Sequence, residues 1–134
     1  MPTNDPAMTV LTPSECLELL AGASVGRVGV SIGALPAILP VHFALLEGSV
    51  IFQTSPGSSL DAATNGTVVA FQADDFVDPG PRSWSVLLQG VAAEVSDPEE
   101  LAAAQRIPMR RWPAPDRGRW VRIQPATVSG RLFG

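Results

Sequence analysis

The sequence contains one histidine, His42, and no other side chain has an ordinary pKa near neutral pH. It lies in the apolar segment Pro40-Val41-His42-Phe43, inside a predicted strand. A hydrolytic triad needs a nucleophile and an orienting acid around the histidine, and the sequence offers no such set. His42 could hydrogen-bond a ligand in a cavity, or it could be an ordinary structural histidine. No catalytic acid is indicated, and His42 is the candidate for contact with a substrate.

A hydroxyl-rich turn, Thr54-Ser55-Pro56-Gly57-Ser58-Ser59, runs from the end of a predicted strand into a short helix. Helix N-termini present unpaired N–H groups and a partial positive charge, so they suit phosphate. Thr54, Ser58 and Ser59 could add hydroxyl donors, and Gly57 permits close approach of the backbone. The same residues also fit an ordinary capped turn, since serine is common at helix starts. Phosphate binding and simple capping both stay open on this pattern.

Two tryptophan segments could cover a flat ligand. Trp84 opens the apolar strand Trp84-Ser85-Val86, where its ring could lie over a heterocycle or fill the core. Trp120 and Arg122 fall on one face of a later strand by alternation, and Arg131 follows near the end of the chain. An arginine beside an indole could bind an anionic aromatic ligand or stack at a dimer interface.

No metal site is expected from the sequence. One histidine and one cysteine are too few for a structural zinc site, which needs four ligands. Asp74 and Asp75 are adjacent on a predicted strand, so their side chains point to opposite faces and indicate a solvated strand end. Cys16 lies among leucines on a predicted helix and is interpreted as a small core residue.

The composition limits which classes of partner the protein can bind. The 134 residues fit one domain, and a net charge of -4 with a sequence pI near 4.8 disfavours nucleic acid. All nine basic residues are arginine, which excludes lysine chemistry and leaves arginine to meet any anion. Tyrosine is absent, so no phenol can act as an acid. The sequence predicts a cytoplasmic protein outside the membrane. Its one cysteine cannot form an internal disulfide, its start does not resemble a signal peptide, and it has no apolar segment of about 20 residues.

The elements that must position these residues are mostly strands. Residues 1–11 are expected to be a flexible arm, and Thr12-Pro13-Ser14-Glu15 predicts a capped helix that ends near Gly22. Apolar segments bounded by turn residues predict strands over 25–32, 37–45, 49–54, 67–73, 84–95, 120–124 and 127–133. Tight turns are expected at Gly33-Ala34 and Glu47-Gly48, and short helices over 58–65 and 96–105. Consecutive strands lie too close for crossover helices, so the prediction is an antiparallel barrel or sandwich.

In their order, these segments resemble the pyridoxamine 5′-phosphate oxidase-like family, with its flavin-binding split barrel, and most closely its short bacterial branch that includes nitroimidazole-resistance reductases. The motifs that carry the resemblance are Thr-Pro-Ser-Glu-Cys at 12–16, Val-Gly-Arg-Val at 25–28, Ile38 to Phe43, Ile51 to Thr54, Pro56 to Leu60, Val69 to Gln72 with Asp74-Asp75, Trp84 to Val86, and Trp120 with Gly130-Arg131. The resemblance implies a mainly β fold, a six-stranded antiparallel split β-barrel with a few short helices, as one domain over residues 12–134. It also implies a homodimer with its cofactor sites at the interface.

The resemblance further implies which residues hold the cofactor. Its ring would lie against Pro40, Val41 and His42, and its phosphate tail at the turn. The implied cofactor residues are Pro40, Val41, His42, Gln53, Thr54, Ser58, Ser59, Leu60, Trp84, Ser85, Trp120 and Arg131. Relatives often carry a lysine or arginine where this chain has Ser59, so Arg27 or Arg131 would have to supply the positive charge.

The implied function is an FMN- or deazaflavin-dependent oxidoreductase that acts on a small planar substrate. Oxidation of pyridoxamine phosphate itself is not expected, because tyrosine, which those enzymes use around the substrate phosphate, is absent. Two alternatives stay open: a non-catalytic protein that binds or sequesters a flavin or haem, and a degenerate dimer without cofactor.

Overall fold

Alternation of buried and exposed side chains along the strands builds a curled antiparallel sheet around the main hydrophobic core. A computed structural model describes residues 8–76, 83–109 and 118–133. The strands are β1 Met8–Val10, β2 Val25–Ile32, β3 Leu35–His42, β4 Ala44–Leu46, β5 Ser49–Thr54, β6 Thr67–Asp75, β7 Ser83–Glu94 and β8 Arg119–Phe133, and the helices are α1 Pro13–Ala21, α2 Ser59–Ala63 and α3 Pro98–Gln105. The sheet order is β3-β2-β6-β7-β8-β5-β4, and β1 pairs with β8.

The predicted fold class is confirmed, with differences in how the strands are divided. The mainly β, half-barrel architecture is present, and β2, β3, β5, β6, β7 and β8 are its six longer strands. The strand predicted over 37–45 breaks at Phe43 into β3 and β4. The strands predicted over 120–124 and 127–133 are one strand, β8, because a register shift opposite Gly90 absorbs the irregularity between them.

Part of the predicted arm is ordered. Met8–Val10 was expected to belong to a flexible segment 1–11, but it forms β1 and pairs antiparallel with Arg131 to Phe133 at the end of β8. Its backbone hydrogen bonds satisfy an otherwise open sheet edge, which explains the order. Residues 1–7 of the predicted arm lie outside the described residues.

Local signals in the sequence account for the helices and tight turns. Thr12 caps α1 in a reciprocal capping box with Glu15, as predicted. Both central residues of the Gly33-Ala34 and Glu47-Gly48 turns have positive φ, which matches the twist of a hairpin. The helix predicted over 58–65 is shorter, and Ser58 is its N-cap. The helix predicted over 96–105 begins at Pro98 with Asp97 as its cap.

The core lies inside the curl of the sheet and is closed by α1. Cys16 is fully buried there, as predicted, and burial raises the pKa of its thiol. A Cβ at Gly130 would lie only 2.7 Å from the Cys16 Sγ, so glycine lets β8 approach α1 closely. A second, smaller cluster of Ile51, Val95, Ala104 and Trp120 packs beneath α3.

Candidate functional site

The face of the sheet that points away from the core carries several of the predicted site residues. Pro40 and His42 lie on this face of β3, and Val41 between them points into the core, where it is buried. In the paired strands, Pro40 lies opposite Arg27 of β2, and Ser85 of β7 lies opposite Arg131 of β8. We call this surface the outer face. A flat ligand there could contact the side chains of Pro40 and His42 but only the backbone of Val41.

A hydrogen-bonded network in the middle of the outer face fixes two of these side chains. Gln72 of β6 accepts a hydrogen bond at Oε1 from Arg27 Nη1, at 3.2 Å. Its Nε2 donates to Asp74 Oδ2 at 2.7 Å and to Ser85 Oγ at 3.2 Å. Asp74 also lies 3.6 Å from Arg27 Nη1. The carboxylate therefore sets the orientation of the amide, which positions Arg27 on one side and Ser85 on the other.

This arrangement suits a planar ligand with hydrogen-bond acceptors. Ser85 accepts from Gln72, so its own O–H proton is free to be donated outward. About half of the Arg27 side chain is exposed, and Arg131 is exposed opposite Ser85. Two guanidinium groups and a hydroxyl on one face can donate to oxygen or nitrogen acceptors, and the two positive charges can balance the charge of an anion.

The hydroxyl-rich turn contains a carboxylate of its own. Asp61 of α2 accepts hydrogen bonds from the Thr54 hydroxyl at 2.8 Å and from the Gly57 N–H at 2.9 Å. Its Oδ1 lies 3.0 Å from Arg119 Nε, and its side chain is 10% exposed. Burial alone raises the pKa of Asp61, but the bonds from Gly57 and Thr54 and the Arg119 charge outweigh it, so the pKa is lowered. Thr54, one of the hydroxyls expected to meet a phosphate, is thus already bound to an internal anion, and so is the Gly57 N–H.

The other predicted residues of the turn have structural partners as well. Ser58 accepts the Asp61 N–H as the helix cap, and Leu60 packs against the core. Ser59 is exposed. Gln53 Nε2 donates to the Gly118 carbonyl at 3.3 Å, while its buried Oε1 has no hydrogen-bond partner among the described residues. Of the residues predicted to hold the cofactor here, Ser59 and Gln53 carry side-chain oxygens without a partner among the described residues.

Trp84 and Trp120 do not share a surface. Trp84 is buried in the core and reaches the wall of a cleft of about 450 Å³ that is also lined by Glu18, Asp74 and Asp75. Trp120 is buried beneath α3, in the second cluster. Both rings are buried, which for Trp84 matches the alternative that its ring fills the core, whereas Trp120 was expected beside Arg122 at a ligand or a dimer interface.

Within one chain, the predicted site residues form two separate groups. Trp120 and Arg131 are eleven positions apart on β8, a distance of about 35 Å along an extended strand. Pro40, His42, Ser85 and Arg131 belong to the outer face, whereas Gln53, Thr54, Ser58 and Trp120 lie at the far end of β5 and β8. One flat ring cannot span this length of β8 to contact both Trp120 and Arg131 of the same chain.

The roles of Gln72, Asp61 and Arg119 at these sites were not predicted, and Asp74 was expected only at a solvated strand end. Gln72 and Asp74 share a face because they are two apart on β6, but their link to Arg27 depends on strand register. Asp61 follows the capping serine by three positions, a spacing that places a carboxylate over the turn that precedes the helix. Arg119 reaches Asp61 only through the pairing of β8 with β5.

The curled antiparallel sheet with its exposed polar face is the split-barrel fold. Residues 12–132 match the family model described as Pyridoxamine 5′-phosphate oxidase, and the chain belongs to that family. The resemblance drawn from the sequence motifs is therefore confirmed.

Known proteins of similar sequence and structure support the assignment. The chain is 40% identical over 126 residues to the uncharacterized protein Rv0080 of Mycobacterium tuberculosis, an alignment that covers 90% of this chain and 82% of that protein. It is similar to the structure of an FAD binding protein from Mycobacterium smegmatis, with a TM-score of 0.83, 35% identity, and coverage of 93% and 98% of the two chains. An FAD and heme binding protein from the same organism shares the fold, with a TM-score of 0.72, 15% identity, and coverage of 95% and 73%.

Membrane insertion through a helix has no support in the described part of the chain. Across residues 8–76, 83–109 and 118–133, no helix combines the length and the apolar character needed to cross a bilayer.

Proposed function

We propose that this protein binds a flavin-type cofactor on the outer face and acts as an oxidoreductase on a small planar substrate. The observation that carries the proposal is the Gln72 network, which holds Arg27 and Ser85 on the face that also exposes Pro40 and His42. Family membership and the FAD binding protein of Mycobacterium smegmatis support it. A bound flavin would supply the hydride or electron transfer, and the protein would supply orientation and hydrogen bonds.

The donor set of the outer face fits a flavin ring. Such a ring is flat and carries carbonyl oxygens and ring nitrogens along its edges, which accept hydrogen bonds. Pro40 offers an apolar surface for stacking, and Ser85 and Arg27 offer donors held in fixed orientation by Gln72. His42, half-buried on the same strand as Pro40, is the residue we assign to substrate contact.

The two separated groups of predicted residues support a dimeric site. In a homodimer, the outer face of one protomer could meet the Gln53 end of its partner, so each cofactor site would use both groups. The outer face also exposes Ile38 and Val68, at 74% and 75%, around a groove of about 300 Å³ over Gly29 and Ala70. Exposed aliphatic side chains of this size beside a groove are typical of a subunit interface. We therefore assign the homodimer contact to this part of the outer face.

We place FAD first among the cofactors, with a deazaflavin and FMN as alternatives. FAD is what the similar protein of Mycobacterium smegmatis binds by name. A buried free thiol, Cys16, fits a reducing compartment, so we assign the protein to the cytoplasm.

Spectroscopic titration tests the proposal. Purified protein, stripped of small molecules, is titrated separately with FAD, FMN, a deazaflavin and haem, while absorbance and flavin fluorescence are recorded. We expect saturable flavin binding, and bleaching of the bound flavin by a reductant that air reverses.

Three outcomes contradict parts of the proposal. A Soret band with no flavin binding would assign haem instead. Flavin binding with no redox turnover of any planar acceptor would assign a sequestering protein. A protein that binds none of the four ligands would be a degenerate member of the family.

A further inference from the structure

The cleft of about 450 Å³ that Trp84 lines lies between the C-terminal end of α1, the end of β6 and the start of β7. We call it the Trp84 cleft. Asp74 forms part of its wall and also accepts a hydrogen bond from Gln72 Nε2, so the cleft adjoins the network on the outer face. Val25, another lining residue, lies opposite His42 in the pairing of β2 with β3. A molecule in the cleft would therefore lie beside the surface proposed to hold the flavin.

The charged side chains that line the Trp84 cleft are all carboxylates. Glu18 and Asp75 are exposed and form no ion pair with any described residue, whereas Asp74 lies 3.6 Å from Arg27 Nη1. The last turn of α1, which reaches the cleft at Gly22, contains no basic residue. Because the C-terminal end of a helix carries partial negative charge, it adds to the field of the carboxylates. The cleft therefore attracts a cation.

The rest of the lining includes apolar side chains and an indole. Leu19, Ala23 and Val25 border the cleft beside Trp84, whose side chain is only 7% exposed. The indole N–H of Trp84 makes no hydrogen bond within the described residues, and its nitrogen is not among the atoms that are sealed from solvent without a partner. A tryptophan this deeply buried usually has a partner for its N–H. The free N–H on the wall of the cleft therefore indicates that a bound molecule supplies the acceptor.

A second acidic hollow shows that carboxylates alone do not give these features. It measures about 470 Å³ beside α3 and is lined by acidic residues that include Glu47 and Glu99. None of its described lining residues is aromatic, and Arg106 on its wall balances part of the negative charge. The indole and the apolar side chains distinguish the Trp84 cleft, because they can cover a flat ring while the carboxylates meet its charge.

We infer that the Trp84 cleft binds a planar organic cation, and that such a cation is the class of substrate on which the proposed oxidoreductase acts. Glu18 and Asp75 would meet the positive group, and Leu19, Val25 and the Trp84 indole would cover the flat body. The assignment of the substrate rests on the proposed function, whereas binding of the cation in the cleft does not depend on a flavin.

The first test measures binding without any flavin. Benzamidine, benzamide and benzoate share a planar phenyl ring and are respectively positive, neutral and negative at neutral pH. Each is titrated into isotope-labelled protein while the indole N–H resonance of Trp84 is followed. We expect a saturable shift with benzamidine, and dissociation constants at least about fivefold higher for benzamide and benzoate.

Two double variants assign the binding to the cleft. Glu18→Gln with Asp75→Asn removes two exposed charges of the cleft and should raise the dissociation constant of benzamidine by at least about fivefold. Glu47→Gln with Glu99→Gln makes the same change in net charge at the hollow beside α3. This control should bind benzamidine within about twofold of wild type.

The second test connects the cleft to the reaction. Flavin-loaded protein is reduced and then reoxidised without air by methylene blue, a planar cation, or by dichloroindophenol, a planar anion. Methylene blue takes two electrons and one proton from the reduced flavin and becomes neutral, and the second proton goes to solvent. Dichloroindophenol takes two electrons and two protons. We expect the ratio of the two rates, cation over anion, to fall at least about fivefold in the Glu18 and Asp75 double variant and to stay within about twofold in the control.

Each outcome supports or overturns a defined part of the inference. Equal affinity for benzamidine, benzamide and benzoate, or no saturable shift at Trp84, overturns it. Wild-type affinity for benzamidine in the Glu18 and Asp75 double variant does the same. Binding of benzamidine with an unchanged ratio of dye rates overturns the assignment of the substrate class. Absence of flavin binding refutes the proposed function, and the benzamidine titration then judges the cleft alone.

Discussion

Removal of the Asp61 carboxylate should destabilise the protein by about 2 kcal/mol. Asp61→Ala leaves the buried Thr54 hydroxyl without its acceptor, and a hydrogen bond to a charged group contributes about 1.5–3 kcal/mol. The Gly57 N–H is exposed and can bond to water instead, so its loss adds little. Arg119 is more than one-third exposed and keeps Glu94, so the lost ion pair adds less than about 1 kcal/mol.

The effect should depend on pH in a defined direction. The pKa of Asp61 is lowered in the folded protein, so its stabilisation is present above the unfolded pKa of about 4 and is lost as pH falls through the folded value. At any pH between 6 and 8, the Tm of Asp61→Ala should lie roughly 6–10 °C below that of wild type. The two curves should converge as the pH falls below about 4.

Two results would refute this reasoning. A difference in Tm below about 2 °C at pH 7 would show that the Asp61 bonds contribute little to the folded state. A full difference that persists unchanged at pH 3 would show that the carboxylate charge is not what stabilises the turn. Glu99→Gln serves as the control, because an exposed carboxylate at the start of α3 should shift Tm by only a small amount.

Three further predictions follow from other parts of the molecule. A Cβ at Gly90 would overlap the Gln124 carbonyl oxygen across the β7–β8 register shift, so Gly90→Ala should lower the free energy of unfolding by at least about 3 kcal/mol in urea denaturation. Gly29→Ala is the control: the nearest atom to its Cβ lies at an ordinary 3.5 Å, so the loss should be less than about 1 kcal/mol. Ile38→Asp should convert the proposed dimer to monomer in light scattering, and an unchanged mass would contradict the assigned interface. Protein supplied with flavin and pyridoxamine phosphate should form no pyridoxal phosphate, and brisk formation would refute the argument from the missing tyrosines.

Features that depend on neighbouring residues could be predicted from the sequence. The capping box at Thr12 and the hairpin turns at Gly33-Ala34 and Glu47-Gly48 each need only a few consecutive residues. That β8 is a single strand could not be predicted. Its alternation of apolar and polar residues is interrupted near Pro125, and the strand continues there only because it pairs with Gly90, which is distant in sequence. Order in β1 likewise depends on its partner at the other end of the chain.

The candidate site was predicted in part, for the same reason. The family resemblance indicated Pro40 and His42, and the structure places both on the outer face. The Gln72 network was missed because it joins three strands whose register a sequence does not display. The turn was read for its hydroxyls, whereas Asp61, one helical turn further on, decides which donors are available.

The Gln72 network on the outer face is proposed to hold the flavin. The most direct test is the dissociation constant of FAD for wild type, Gln72→Leu and Gln105→Leu, the last being the same substitution at the exposed end of α3, away from the outer face. Because Gln72→Leu removes the amide that orients Arg27 and Ser85, we expect it to weaken FAD binding by at least about tenfold, while Gln105→Leu stays within about twofold of wild type. Equal affinity in all three proteins would contradict the claim.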